Sequence, residues 1–287
     1  MALGAFLTEL SAWSWWFLRD APFRPREETL TETLLTMMSR GASGSVWVQK
    51  ATVPEEAAWG LDWAWAINTQ AGWFVSLVQA KNIDGERWGV YPGLRDIDSG
   101  EQARRLIHFA SLAQAVPLYA FYNSEVPPFG GTGASVSFGA CGRSTLERNA
   151  GRPPWHAGES PMGVSVAHAQ DVLAMAIPAP AKNQRAAGIL SYSMPWECLL
   201  CPQWVHPIAA SADDGILVRH VARQLGSHRA TGEPDNARLE RRRPGWLHES
   251  IPNWAAMVQE GGRVSADDEV PPARFLVVVD VEDELEA

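Results

Sequence analysis

Asp62, Gln79 and Lys81 are the residues of this 287-residue chain whose types and spacing most directly offer chemistry. They lie in the stretch GLDWAWAINTQAGWFVSLVQAKN, Gly60 to Asn82, two apolar runs that open on an Asp and close on Gln-Ala-Lys. The Asp62 carboxylate, the Gln79 side-chain carbonyl and the Ala80 backbone carbonyl are hard oxygen donors of the kind that hold Mg²⁺ or Mn²⁺ with several waters retained. The Lys81 ammonium beside them could orient or help deprotonate a water and stabilise charge developing on a phosphate. One carboxylate undercompensates a divalent ion, so the set calls for a further acid. The candidates are Glu32 or Glu28 on a preceding helix, and Glu55 or Glu56 in the segment before Gly60.

For this chemistry to exist, the two runs must pair. Side chains alternate along a strand, so Gln79 and Lys81 share a face. Pairing around a short loop at Thr69 to Gly72 sets position 62 opposite position 79, and cross-strand partners project to the same side. That register gathers Asp62, Gln79 and Lys81 at the open end of a hairpin. Around it, RPREETLTETLLTMMSRG predicts a helix of about three turns, with early Glu residues favourable to the helix dipole and Gly41 as a stop. SVWVQKATV and PLYAFYNS predict strands, and GEQARRLIHFASLAQAVP predicts an amphipathic helix closing at Val116 before Pro117. The order to Ser124 is helix, three strands, helix, strand, which makes an α/β layer with a mixed central sheet.

In these residues and this order, the chain resembles the restriction-endonuclease-like PD-(D/E)xK nuclease superfamily, in the variant where Gln replaces the second acid, as in Mrr-like enzymes. The resemblance runs from about Glu27 to Ser124. It implies an αβββαβ core and hydrolysis of nucleic-acid phosphodiesters, DNA before RNA, with Mg²⁺ or Mn²⁺. It assigns Asp62 as the metal-binding acid, Gln79 to the second acid's position, Lys81 as the catalytic lysine, and Glu32, or failing it Glu28, as the helix carboxylate. Action as a homodimer and a place in bacterial defence against phage are further implications of it. Trp63 and Trp65 stand where many relatives carry smaller aliphatic residues. The alternative is a catalytically inactive nuclease-fold protein that binds a protein partner through its Trp-rich N-terminus or its C-terminal half.

The remaining signals set the frame. The expected organisation is a Trp-rich arm or helix over residues 1–26, the core over 27–125, and a C-terminal extension or α+β subdomain over 126–287. Net charge is −9, but ten Asp or Glu lie between Trp246 and Ala287 against Arg263 and Arg274. The body is therefore close to neutral, which does not exclude a polyanion. Arg241, Arg242 and Arg243 read equally as a solvated face. Cys141, Cys198 and Cys201 are too few for a disulfide framework, and CLLCPQWVH, with His206, is expected to be a packed loop rather than a zinc site. GGTGASVSFG lacks the Gly-Lys-Ser/Thr ending of a phosphate loop. Most of the 14 Trp, including Trp47, Trp59, Trp63, Trp65 and Trp73, fall in apolar contexts and are expected in the core. DDGILVRHVARQLGSHR reads as a helix, and ARFLVVVD as a strand before an acidic tail. With no run long enough for a bilayer and no signal-peptide pattern, the expected setting is the cytoplasm, with no membrane partner.

Overall fold

The computed structural model describes residues 3–23, 25–42, 44–50, 61–69, 72–82, 90–91, 100–123, 163–176, 184–185, 194–196, 247–264, 271 and 273–280. Over these, helices α1 (Leu3–Asp20), α2 (Glu27–Gly41), α3 (Glu101–Leu112), α4 (Ala169–Ala176) and α5 (Asn253–Gln259) surround a mixed sheet. Its strands are β1 (Val46–Lys50), β2 (Leu61–Thr69), β3 (Gly72–Asn82), β5 (Val116–Tyr122), β6 (Val164–His168), β8 (Met194–Pro195), β9 (Leu247–His248) and β10 (Ala273–Asp280). The short strands β4 (Val90–Tyr91) and β7 (Gln184–Arg185) pair separately. The chain is thus mixed α/β, with the eight-stranded sheet ordered β1-β10-β2-β3-β5-β6-β8 and β9 paired to β3.

β2 and β3 are apolar on both sides because both sides are covered, as in the centre of any three-layer α/β stack. On one side Trp63, Trp65, Ile67, Phe74 and Val78 pack with Leu7 and Leu10 of α1 and with Leu30, Leu34, Leu35 and Met38 of α2. On the other, Ala64, Ala66, Val75 and Leu77 meet Ala103, Leu106 and Ala110 of α3, Val172 of α4 and Val258 of α5. α1, which the sequence left as arm or helix, is an 18-residue helix. It approaches β6 so closely that a Cβ on Gly163 would meet the Ser11 carbonyl oxygen at 1.7 Å. Of the Trp residues expected inside, Trp63, Trp65 and Trp73 are buried and Trp47 packs against the core; Trp59 lies outside the described residues.

The hairpin has the register its sequence implies: β2 and β3 are antiparallel, with Trp63 opposite Val78 and Thr69 opposite Gly72. Gly72 takes φ +123°, a conformation open mainly to glycine, as the chain enters β3. β3 then runs parallel to β5, Gln79 beside Tyr119 and Lys81 beside Phe121.

One expectation needs correction, and the sheet order holds one feature that the sequence pattern does not address. The helix of residues 101–116 ends earlier, at Leu112, because Gln114 adopts a left-handed φ of 50° and the Ala113 and Ala115 amides return to the carbonyls of Phe109 and Ala110. Val116 accordingly begins a strand instead of ending a helix. The first strand, β1, does not lie beside β2: β10, from the far end of the chain, inserts between them, antiparallel to β1 and parallel to β2. The predicted strand ARFLVVVD is therefore a central one. The predicted helix within residues 213–229, the acidic tail after Asp280, the Arg241–Arg243 run, the Gly-rich stretch after residue 128 and the C-x-x-C segment lie outside the described residues. Among the described residues, no helix is long and apolar enough to cross a membrane.

Candidate functional site

The carboxylate of Asp62 sits at the end of the hairpin where β2 begins, and two donors from β3 converge on one of its oxygens. The Gln79 amide nitrogen donates to Oδ2 at 2.5 Å and the Ala80 backbone N–H at 2.6 Å. Gln79 Nε2 is also 3.3 Å from the Ala80 carbonyl. Asp62 and Gln79 are brought together because the antiparallel register makes them cross-strand neighbours, one step beyond the Trp63–Val78 pair. Lys81 follows on the same face of β3 and is 7% exposed. Its ammonium lies 3.8 Å from Glu27 Oε2, while Glu27 Oε1 accepts the Asn82 backbone N–H at 3.2 Å.

Glu27 is thus the α2 carboxylate that lies against Lys81, whereas the sequence candidates Glu32 and Glu28 face Arg274. Glu28 and Glu32 are one turn apart on α2, and both pair with Arg274, at 3.4 and 3.0 Å; Glu32 also lies 3.5 Å from Lys50. Each helical residue is rotated by about 100° from its predecessor, so neighbouring acids cannot face the same partner. A signal for Glu27 was present in the sequence. It shares the stripe 27, 30, 31, 34, 38, and Leu30, Thr31, Leu34 and Met38 are buried, so Glu27 is the acid that continues the apolar face. Glu55 and Glu56 lie outside the described residues, as do Cys141, Cys198, Cys201 and His206.

Arg274 is the other residue that sequence reasoning missed. The parallel pairing of β10 with β2 brackets it between Ala273–Leu61 and Phe275–Trp63, so it stands beside Asp62 in the sheet. Nothing local in ARFLVVVD says which strand it will join. Its guanidinium rests 5.6 Å from the centre of the Phe275 ring, a cation–π arrangement that fixes the side chain while Glu28 and Glu32 hold its nitrogens.

The electrostatics leave the site short of positive charge. Burial raises the Asp62 pKa from 3.8 to about 7; the Ala80 N–H and the charge of Lys81 oppose this, the charge of Glu27 adds to it, and Arg274 contributes a small lowering. Near neutral pH the carboxylate is poised between its two forms. Meanwhile Gln79 Oε1 is buried and finds no hydrogen-bond donor among the described residues. The Gln79 amide nitrogen occupies the point that faces the Asp62 carboxylate and the Ala80 carbonyl. Rotating that amide by half a turn would present the orphaned Oε1 there instead.

With the Gln79 amide rotated, Asp62, Gln79 Oε1 and the Ala80 carbonyl would be oxygen donors of the kind a hard divalent cation takes, with Glu27 held nearby against Lys81. Among the described residues no three His, Cys, Asp or Glu side chains form a cluster that would hold a metal by themselves. The amide, the backbone carbonyl and water would therefore have to complete the shell.

The chain belongs to the DUF6615 family, a family of unknown function, whose profile matches residues 3–284. No curated protein and no solved structure matches it significantly.

Proposed function

We propose that the chain is a metal-dependent nuclease of the PD-(D/E)xK kind, cleaving phosphodiester bonds in nucleic acid, DNA before RNA. The observation that carries this reading is the convergence, at one end of a buried hairpin, of Asp62 and Gln79 in direct hydrogen bond with Lys81 on the same strand face and paired to Glu27. Leaving aside β4, which pairs with β7 in a separate sheet, the element order α2, β1, β2, β3, α3, β5 supports a restriction-endonuclease-like core, elaborated by β10 between its first two strands.

Asp62, Gln79 through Oε1, the Ala80 carbonyl and Glu27 would hold Mg²⁺ or Mn²⁺. When bound, the ion supplies Lewis-acid activation of a water and neutralises charge on the phosphate. The chain's own residues do the rest. Lys81 is a buried ammonium whose carboxylate partner stands at 3.8 Å, long for a hydrogen-bonded ion pair. It is therefore available to an anionic oxygen arriving in the site, where its charge favours the more negative transition state over the substrate. The β2–β3 register holds Asp62, Gln79 and Lys81 at one end of the hairpin before substrate binds, so little ordering of the strands is left for the reaction itself.

A second reading, a catalytically inactive fold that acts by binding another protein, is favoured by the Gln79 amide. Its nitrogen already donates to the Asp62 carboxylate and reaches the Ala80 carbonyl, two of the oxygens a cation would take. One experiment separates the two readings. Radiolabelled duplex DNA, single-stranded DNA and RNA are incubated with the wild type, Asp62→Ala and Lys81→Ala, each with Mg²⁺, with Mn²⁺ and with chelator. Metal-dependent cleavage by the wild type that both variants lose supports the nuclease. Equal cleavage by all three, or none by any, overturns it.

A further inference from the structure

We propose that Thr31 and Tyr122 form a positioning pair that aims Glu27 at Lys81, an inference that rests on the nuclease reading for its consequence in rate but not for its geometry. Both residues are about 1% exposed, in the layer between α2 and the sheet. The Tyr122 hydroxyl lies 2.7 Å from Thr31 Oγ1, and Thr31 Oγ1 donates to the Glu27 carbonyl at 3.0 Å. A threonine hydroxyl has one proton, and here it is given to Glu27, so the Tyr122 hydroxyl must be the donor to Thr31. The result is a directed chain, from Tyr122 O–H to Thr31 O–H to the Glu27 carbonyl. It joins β5 to the first turn of α2 at the very residue whose side chain meets Lys81.

β3 grips the same turn at the adjacent position. Asn82 is the register partner of Tyr122 across the parallel β3–β5 pair. Its backbone N–H donates to Glu27 Oε1 and its side-chain amide to the Pro25 carbonyl at 2.9 Å. The carbonyls of Pro25 and Glu27 and the Glu27 carboxylate are thus held from two neighbouring strand ends. Two apolar side chains of the same shape would fill the space of the Thr31–Tyr122 pair at little cost in stability, because paired buried hydroxyls gain little over a well-packed apolar contact. What the polar pair adds is direction: a hydrogen-bond chain fixes the rotation of the first turn, whereas apolar packing tolerates sliding. Burial and the carboxylates of Asp62 and Glu27 push the Tyr122 hydroxyl pKa well above its ordinary value, so Tyr122 keeps its donor proton. Among the described residues, the charged groups that act on it are those two carboxylates, and Lys81 pairs with Glu27.

Two complementary replacements at one position test this. Thr31→Val keeps the shape and removes the hydroxyl; Thr31→Ser keeps the hydroxyl and removes a methyl. One readout is the proton shift of the Asn82 backbone amide, which reports its bond to the Glu27 carboxylate without any need for activity. The other is the split between kcat and KM for metal-dependent DNA cleavage. The expected result is that Thr31→Val moves the Asn82 amide upfield, toward its position in Glu27→Gln, and lowers kcat by about ten- to a hundredfold with KM little changed. Thr31→Ser should resemble the wild type in both, and Tyr122→Phe should act in the direction of Thr31→Val, which secures the test if that variant folds poorly. If the Asn82 amide moves as expected but the wild type cleaves nothing, the positioning pair stands and the nuclease reading falls. If Thr31→Val leaves the amide in place while Thr31→Ser disturbs it, the pair is packing alone and the proposal is overturned.

Discussion

Asp62→Asn should make the metal-free protein more stable at pH 8 while removing its response to Mg²⁺. The carboxylate is raised from 3.8 to about 7, and each unit corresponds to ~1.4 kcal/mol, so holding it ionised in the fold costs at most about 4 kcal/mol. Because Asp62 is part-buried, solvent recovers some of this, and about 2 kcal/mol is the expected gain for a neutral amide. Asn keeps the carbonyl that accepts the Gln79 and Ala80 donors, so these hydrogen bonds of the hairpin survive the change. For a chain of 287 residues the gain amounts to an increase in Tm of about 3 °C.

The sign follows from linkage. An acid whose folded pKa lies above its unfolded value binds its proton more tightly in the native state. That contribution to stability is complete below about pH 4 and is lost as pH rises through about 7. At pH 5 roughly two of the three units have been recovered, so the advantage of Asp62→Asn should shrink to about a third of its value at pH 8. The assay is thermal and urea unfolding of both proteins in chelator at the two pH values, repeated with Mg²⁺. Ligand binding to the native state alone adds about 2.7 kcal/mol at a hundredfold excess over Kd, expected for the wild type and absent in the variant. A variant less stable than the wild type at pH 8 in chelator, or a difference that does not change between pH 5 and 8, would refute the reasoning. Either would mean that Lys81 and Arg274 outweigh burial.

Further outcomes follow from the same geometry. Gln79→Glu removes the donor at 2.5 Å and sets a second carboxylate against Asp62; it should lower stability in chelator by about 2 kcal/mol and gain more from Mn²⁺ than the wild type does, as titrated by denaturation midpoint. Glu27→Gln should reduce metal-dependent cleavage by about a hundredfold or more, whereas Glu28→Ala and Glu32→Ala, whose partner is Arg274, should leave it within a few-fold; equal losses at all three positions would remove the case for Glu27. Trp65→Ala, at a fully buried position between Trp63 and Trp196, should destabilise by about 3–5 kcal/mol in urea unfolding while leaving the metal requirement of any residual activity unchanged.

What the sequence made legible was whatever a local pattern dictates. The register of β2 with β3 could be read because alternation and a short turn fix it, and it delivered Asp62 opposite Gln79 without knowledge of the rest of the fold. The position of β10 could not be read. A strand that is apolar on both faces carries no mark of which neighbours it will have, and those of β10 were chosen from segments more than two hundred residues away. Arg274 was invisible for that reason, although its side chain decides where Glu28 and Glu32 point. The helix acid was a different kind of failure. The resemblance points to Glu32, or failing it Glu28, and neither lies at the angle of the buried stripe of Leu30, Leu34 and Met38 around α2. Extending the stripe backwards by one turn reaches Glu27. A carboxylate on the apolar face of a helix is costly unless a cation waits on the other side, and Lys81, a buried cation on an apolar strand, poses the complementary problem. Each residue taken alone looks like an error of patterning; their mutual distance of 3.8 Å removes both. The site is therefore best found in such a sequence by asking which out-of-place charges of opposite sign can be brought face to face.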